Sequence, residues 1–369
     1  MLLFIVNRFY AAQKQQLAWL KKLLGLRDAD SSQLLSILSA AGNEKLPEDE
    51  KAALWTRIEA GMKQPVKRRI RPMFWKAAAA VILTAGATWL LWPSSPTQQA
   101  LVAYAMSLPA DSNLTETQLS LGAQRNILLP GKQTQLRYSD SGAVQSGDAR
   151  YVQDNQHAFN TLNVPFGRIA KVTLQDGTQV WLNAGSRLVY PATFSNHARE
   201  VYVSGEAYFE VAANNAQPFK VYTGDVTVNV LGTSFNVSAY EQEAQAITLV
   251  AGKVNVEAGA TQVTLTPGEQ VSYAAQQQPN KISGTNTDAY TSWKDGIIIA
   301  DHTPLHAILK KLSRYYNHTI IVNGQSGGDT FSGRLDLQKS LDEVLNTIGQ
   351  TTDMDINRQA GRIILESKR

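Results

Sequence analysis

Residues 199–211 read Arg199-Glu-Val-Tyr-Val-Ser-Gly-Glu-Ala-Tyr-Phe-Glu-Val211. Two runs rich in β-branched and aromatic residues, Val201–Val203 and Tyr208–Val211, flank Ser204-Gly205. Alternation with a period of two suits a strand with one buried face, and glycine suits a turn, so the pattern predicts two strands joined at Ser204-Gly205. The same pattern continues outward in both directions. Upstream lie Lys171–Leu174 and Val180–Leu182; downstream lie Phe219–Tyr222, Val226–Val230, Phe235–Val237, Ile247–Val250, Val254–Val256, Val263–Leu265 and Val271–Tyr273. Turn signals at Asp176-Gly177, Gly232, Ala251-Gly252 and Pro267-Gly268 separate them. Weaker fragments at Asn126–Leu129 and Gln133–Tyr138 extend the pattern, giving an all-β domain over residues 126–275. Many short strands with Gly-bearing turns suit a β-sandwich and a solenoid equally.

On the C-terminal side the period changes. Gly296–Ile299 reads as a buried strand, followed by a helix with Thr303 as N-cap, Pro304 at its first position and Leu305, Ile308, Leu309 and Leu312 on one face. The unit then repeats: strand Thr330–Leu335, a capping box from Ser340 to Glu343, an apolar face of Leu341, Val344, Leu345 and Ile348, and Gly349 past the helix end. With strands at Thr319–Val322, Met354–Asn357 and Ile363–Leu365, residues 290–369 read as a small α+β domain of two βαβ-like halves. Neither half carries a Gly-rich phosphate loop.

On the N-terminal side lies Met73-Phe-Trp-Lys-Ala-Ala-Ala-Ala-Val-Ile-Leu-Thr-Ala-Gly-Ala-Thr-Trp-Leu-Leu-Trp92. A bilayer needs about 20 mostly apolar residues, and residues 73–92 meet that length if Lys76 snorkels to the headgroups; Trp75, Trp89 and Trp92 sit where interfacial aromatics belong. Lys67, Arg68, Arg69 and Arg71 precede the span, while residues 93–110 contain no Lys or Arg, which predicts a cytoplasmic N-terminus and a C-terminal part across the membrane. Residues 1–66 form a helical head with apolar stripes at Leu17, Leu20, Leu23 and Leu24, at Leu34, Leu35 and Leu38, and at Leu54, Ile58 and Met62. Pro47 followed by three acidic residues marks the start of its third helix. Residues 93–125 read as a linker.

The 369 residues allow two or three domains. The net charge of +4 has its basic excess near residues 63–76, where anionic lipid accounts for it without nucleic acid. The absence of cysteine excludes disulfides and thiolate metal sites, and it suits an oxidising compartment. The opening Met1–Val6 lacks the charged region and cleavage site of a signal peptide.

Enzymatic constellations are sparse. Glu206 and Glu210 fall on one strand face, as a glycosidase pair would, although a structural pair is the simpler reading. His302 and His306 have helical metal-pair spacing, but no third ligand accompanies them and the predicted helix starts between them, so no metal or other cofactor is expected. Gly232-Thr233 has two readings. A strained turn would let the Thr233 hydroxyl attack the Gly232 carbonyl in an N-to-O acyl shift and cut the chain; alternatively, Gly232 serves only a tight turn.

The β region resembles the FecR family of sigma-factor regulators. The resemblance is carried by Gly167, Lys171–Thr178, Val180–Leu188, Tyr190-Pro191, Arg199–Val203, Gly205–Val211, Pro218-Phe219 and Val230–Val237. Trp293–Gly296, Pro304-Leu305, Leu312–Asn317 and Phe331–Gly333 look like the C-terminal domain of the Bacteroidota members, related to the short signalling domains of TonB-dependent transducers. In the head, Ala18–Leu20 and Ala53–Ile58 fit more weakly. The resemblance implies a single-pass inner-membrane anti-sigma factor whose head holds an extracytoplasmic-function sigma factor through Trp19, Leu20, Leu38, Trp55 and Ile58. Its periplasmic part would sense the signalling domain of an outer-membrane TonB-dependent transporter for iron chelates or glycans. The competing reading is a membrane-anchored periplasmic protein that binds or cleaves carbohydrate, for which an ordered head with three apolar faces has no use.

Overall fold

The computed structural model describes residues 96–109, 114–122, 125–139, 142–152, 158–274, 278–323, 330–359 and 361–367. The helices expected in the head and the span expected at 73–92 lie outside the described residues. Among those described, no helix is long and apolar enough to cross a membrane.

The expected turn at Ser204-Gly205 is absent: residues 199–211 begin with one continuous strand, Arg199–Glu210. Its first half pairs with Ser186–Pro191 and Phe219–Thr223, and its second half with Gln179–Leu182 and Ser234–Ala239. The strand therefore belongs to two layers. Gly205, at φ +92°, stands where it passes from one to the other, and a β-carbon there would fall 2.5 Å from Ser186 Oγ. Glycine is needed for a bend within a strand here, not for a reversal between two strands.

Eighteen strands among the described residues form one sheet that curls into these two layers. The first layer also holds Thr117–Leu121, Phe159–Val164, Val226–Val230 and Val254–Ala258; the second holds Gln133–Tyr138, Ile169–Thr173, Gln245–Ala251 and Gln270–Tyr273. The two layers share one core. Phe209 stacks on Phe235 at 5.1 Å and meets Phe219 of the other layer edge-on at 6.1 Å. This layered arrangement, rather than a solenoid, is what the crossing strand produces. Arg199 is 1% exposed beside that core, pairs with Asp176 at 2.7 Å and donates to the Gln217 and Ala212 carbonyls. A charge so deeply buried is tolerable only with such partners.

The stretch expected to be a linker also has structure. Helix α1, Pro96–Ser107, buries Leu101 and Ala105 on Val189 and Tyr222, on the side of the first layer away from the main core. Strand Thr117–Leu121 then joins that layer. The uncharged composition of α1 hides these contacts from a sequence reading, because its apolar residues form no clear stripe.

A short helix α2, Asp288–Thr291, and a single 3-10 turn, Ser292–Asp295, lead into the C-terminal domain. Strand Ile297–Pro304 runs through Thr303 and makes Pro304 the N-cap of helix α3, Leu305–Tyr316, one residue later than the expected start. Pairing of Pro304 with Thr330 holds that residue in the sheet. Helix α4, Leu341–Thr352, has the expected Ser340–Glu343 capping box. Its end is later than expected: Gly349 is helical, and left-handed Asp353 supplies the C-cap.

The two βαβ-like halves need a correction. Ile297–Pro304 pairs antiparallel with Thr330–Asp336, whereas Thr319–Asn323 pairs in parallel with Arg362–Ser367, which also pairs with Met354–Gln359. Each helix thus connects two different sheets. The apolar faces of α3 and α4 fill one core between them, with Leu305, Ile308, Leu309, Leu312, Val344, Leu345 and Ile348 all buried.

Replacing Gly205 by Ala adds a clash at Ser186 and backbone strain in the crossing strand. We expect a loss of about 2–4 kcal/mol, read as a lower urea midpoint, whereas Gly177→Ala in an open turn should cost about 1–2 kcal/mol.

Candidate functional site

The head residues Trp19, Leu20, Leu38, Trp55 and Ile58, expected to bind the sigma factor, lie outside the described residues. The other candidates fall on the β region and on its junction with the C-terminal domain.

Glu206 and Glu210 do share a strand, but the structure gives Glu206 a structural environment. It is 6% exposed, and its carboxylate accepts from Asn183 Nδ2 at 2.8 Å and Asn236 Nδ2 at 3.0 Å. Asn236 Oδ1 in turn accepts from the indole N–H of Trp293 at 3.2 Å. Trp293 is 6% exposed and precedes the first strand of the C-terminal domain, so a chain of three hydrogen bonds runs from the β region into the next domain. Every polar atom in it has a partner, as burial requires.

A second cluster lies close by. Burial pushes the Tyr240 phenol far above its ordinary range, and the neighbouring Glu206 carboxylate adds to the shift. Tyr240 therefore stays a neutral donor, bonded to the Ala184 carbonyl at 2.9 Å. The Arg314 guanidinium, at the end of α3, lies 3.6 Å from the Tyr240 ring centroid and pairs with Glu243. Lys310, one turn earlier on α3, reaches the same carboxylate at 3.5 Å. The Arg314 carbonyl accepts from Gly167 N at 2.8 Å. Lys294 approaches the Tyr208 ring at 5.4 Å, adding a further polar contact across the junction.

These contacts are individually modest. A cation–π contact of this kind contributes about 0.5–2 kcal/mol, a partly exposed ion pair about 0.2–1 kcal/mol and a hydrogen bond about 0.5–1.5 kcal/mol. Trp293–Gly296 and Leu312–Asn317 carry the family resemblance, but nothing in their local sequence assigns them these contacts. The available signal was a tryptophan and an arginine on elements whose apolar faces were already fully used.

Gly232-Thr233 lies where Val226–Val230 gives way to Ser234–Ala239. A β-carbon on Gly232 would fall 2.7 Å from Ala213 Cα, so close packing accounts for the glycine. Thr233 is buried, and its hydroxyl donates to the Lys253 carbonyl at 3.0 Å. A carbonyl orients that hydroxyl but does not take its proton, which an acyl shift would require.

His302 and His306 fall on either side of the helix start, as the sequence pattern predicts. His302 sits at φ +45° in the strand and bonds to Asp301, while His306 is on α3. Among the described residues, no group of acidic or histidine side chains has the arrangement of a metal site.

Residues 160–255 match the family described as FecR protein, and residues 297–365 match the family described as FecR, C-terminal. Two crystal structures of a candidate anti-sigma factor from Parabacteroides distasonis, at 1.65 and 2.50 Å, are similar to this chain. Each is 33% identical with a TM-score of 0.53; the likeness covers 57% of this chain and 99% or 100% of theirs. No curated protein matches the chain.

Glu206→Gln places an amide donor against two amide donors and should cost about 1–3 kcal/mol in unfolding free energy. Glu210→Gln, outside the network, should leave the unfolding midpoint close to wild type. For Gly232-Thr233, wild type and Thr233→Ala should each give one full-length band on a denaturing gel. Two bands in wild type and one in the variant would restore the self-cleavage reading.

Proposed function

The chain belongs to the FecR family of anti-sigma factors, and on that premise we propose that it is a non-enzymatic, single-pass regulator of the inner membrane. Residues 1–66 sit in the cytoplasm and hold an extracytoplasmic-function sigma factor. Trp19, Leu20, Leu38, Trp55 and Ile58 supply the apolar anchors for that contact. Residues 73–92 cross the membrane, with the basic run before them on the cytoplasmic side. The β region and the C-terminal domain lie in the periplasm, where they read the state of a TonB-dependent outer-membrane transporter for an iron chelate or a glycan.

The observation that carries this reading is the succession of two family matches, FecR and FecR C-terminal, behind a basic-flanked apolar stretch and a segment whose apolar residues recur at helical spacing. The C-terminal domain offers a physical means of receiving a partner. Thr319–Asn323 and Met354–Gln359 each pair on one side only among the described residues, with the same strand, Arg362–Ser367, between them. An open edge is able to accept an added strand from the transporter's signalling domain.

The fragment 1–72 should co-purify with a sigma factor of its host, and Trp55→Ala should weaken the complex by about tenfold or more. A stable monomeric fragment that binds none of the host's sigma factors would favour the carbohydrate-binding reading instead.

A further inference from the structure

The β region and the C-terminal domain keep separate hydrophobic cores: the first ends at Tyr273, and the second begins at Ile298. Their junction is made mainly of polar and charged groups. We infer that it is a releasable latch, closed while the regulator is at rest and opened when a partner loads the C-terminal domain, with Trp293 as its pivot. The inference rests on the regulatory reading above and assigns the signal a route through Arg314, Glu243 and Tyr240.

Three observations carry it. Opening the junction leaves both cores whole and returns groups to water that already touch it: the Arg314 and Glu243 side chains are 15% and 27% exposed. Relative motion is the ordinary behaviour of domains joined by a polar surface. Arg314 is also the residue through which motion of the open sheet edge would pass. The Ser313 hydroxyl accepts from Ile320 N at 3.1 Å, and His318 N donates to the Ser313 carbonyl at 3.1 Å, which ties the end of α3 to the edge strand Thr319–Asn323. A partner that paired with that strand would shift Ser313, and the next residue holds Glu243, Tyr240 and Gly167. Finally, Trp293 is buried at the junction, only 6% exposed, and lies just before the first strand of the C-terminal domain. Its hydrogen bond to Asn236 keeps the two parts attached while the Arg314 end moves.

The absence of cysteine permits a clean test. A β-carbon at Gly167 would lie 3.2 Å from Asn317 Cβ, so Gly167→Cys with Asn317→Cys forms a disulfide across the junction after a shift of a few tenths of an ångström. In cells carrying the full chain and a sigma-dependent reporter, the oxidised double variant should lose the induced response by about tenfold relative to the single-cysteine variants, which carry the same substitutions without the cross-link. Glu243→Ala, which removes the partner of both Arg314 and Lys310, should raise the uninduced reporter several-fold. In the purified full chain, it should also speed amide exchange over Leu305–Tyr316.

A response equal to wild type from the oxidised protein, its disulfide verified on a non-reducing gel, would overturn the latch. So would Glu243→Ala leaving both exchange and basal output at wild-type values. If wild type itself shows no sigma-dependent response, the regulatory reading fails; amide exchange in Glu243→Ala then decides on its own whether the junction opens.

Discussion

The described structure depends on Arg199–Glu210 being one strand shared by two layers. A strand with two neighbours in its first half and two different neighbours in its second forces the sheet to curl rather than remain open. The curl brings Phe209, Phe219 and Phe235 together in one core. Two side chains secure the strand, one at its start and one beside the crossing: Arg199 is bonded to Asp176 and two carbonyls, and Glu206 is bonded to two asparagines. Both are charges that water would otherwise solvate, so their positions depend on partners contributed by distant segments.

The same strand links the β region to the domain that follows. Asn236 pairs with Tyr208 across the sheet and presents its carbonyl oxygen to Trp293, so the register of the second layer sets where the C-terminal domain can dock. That domain has its own core and needs none of the β region's apolar surface. The result is an assembly of two stable bodies with an adjustable polar seam, an arrangement suited to carrying a mechanical signal without loss of either fold.

Much of this was legible in the residues because each strand or helix announces one face at a time. Leu305, Ile308, Leu309 and Leu312 form a stripe with helical spacing, and the structure buries all four. The Ser340–Glu343 capping box needs only four consecutive residues and forms as read. A local signal misleads where its cause is distant. Gly205 resembles a turn glycine, yet it is required by the close approach of Ser186, a neighbour outside its own segment. Pro304 looks like a first helical residue, yet pairing with Thr330 keeps it in a strand. Helix α1 reads as linker because the surface that makes Leu101 a core residue belongs to Val189 and Tyr222. The roles of Arg314 and Trp293 were hidden for the same reason, since their partners lie 71 and 57 residues away in the chain.

By itself, the sequence determined the β character of the central region, the helical faces of the C-terminal domain and the apolar stretch at 73–92. These depend on periodicity and composition, which act within a few residues. Only the tertiary structure decided that one strand serves two layers, that each C-terminal helix bridges two sheets and that the two domains meet through a polar seam. Those features arise from pairing between segments far apart in the chain, and no local pattern specifies which distant surface a face will meet.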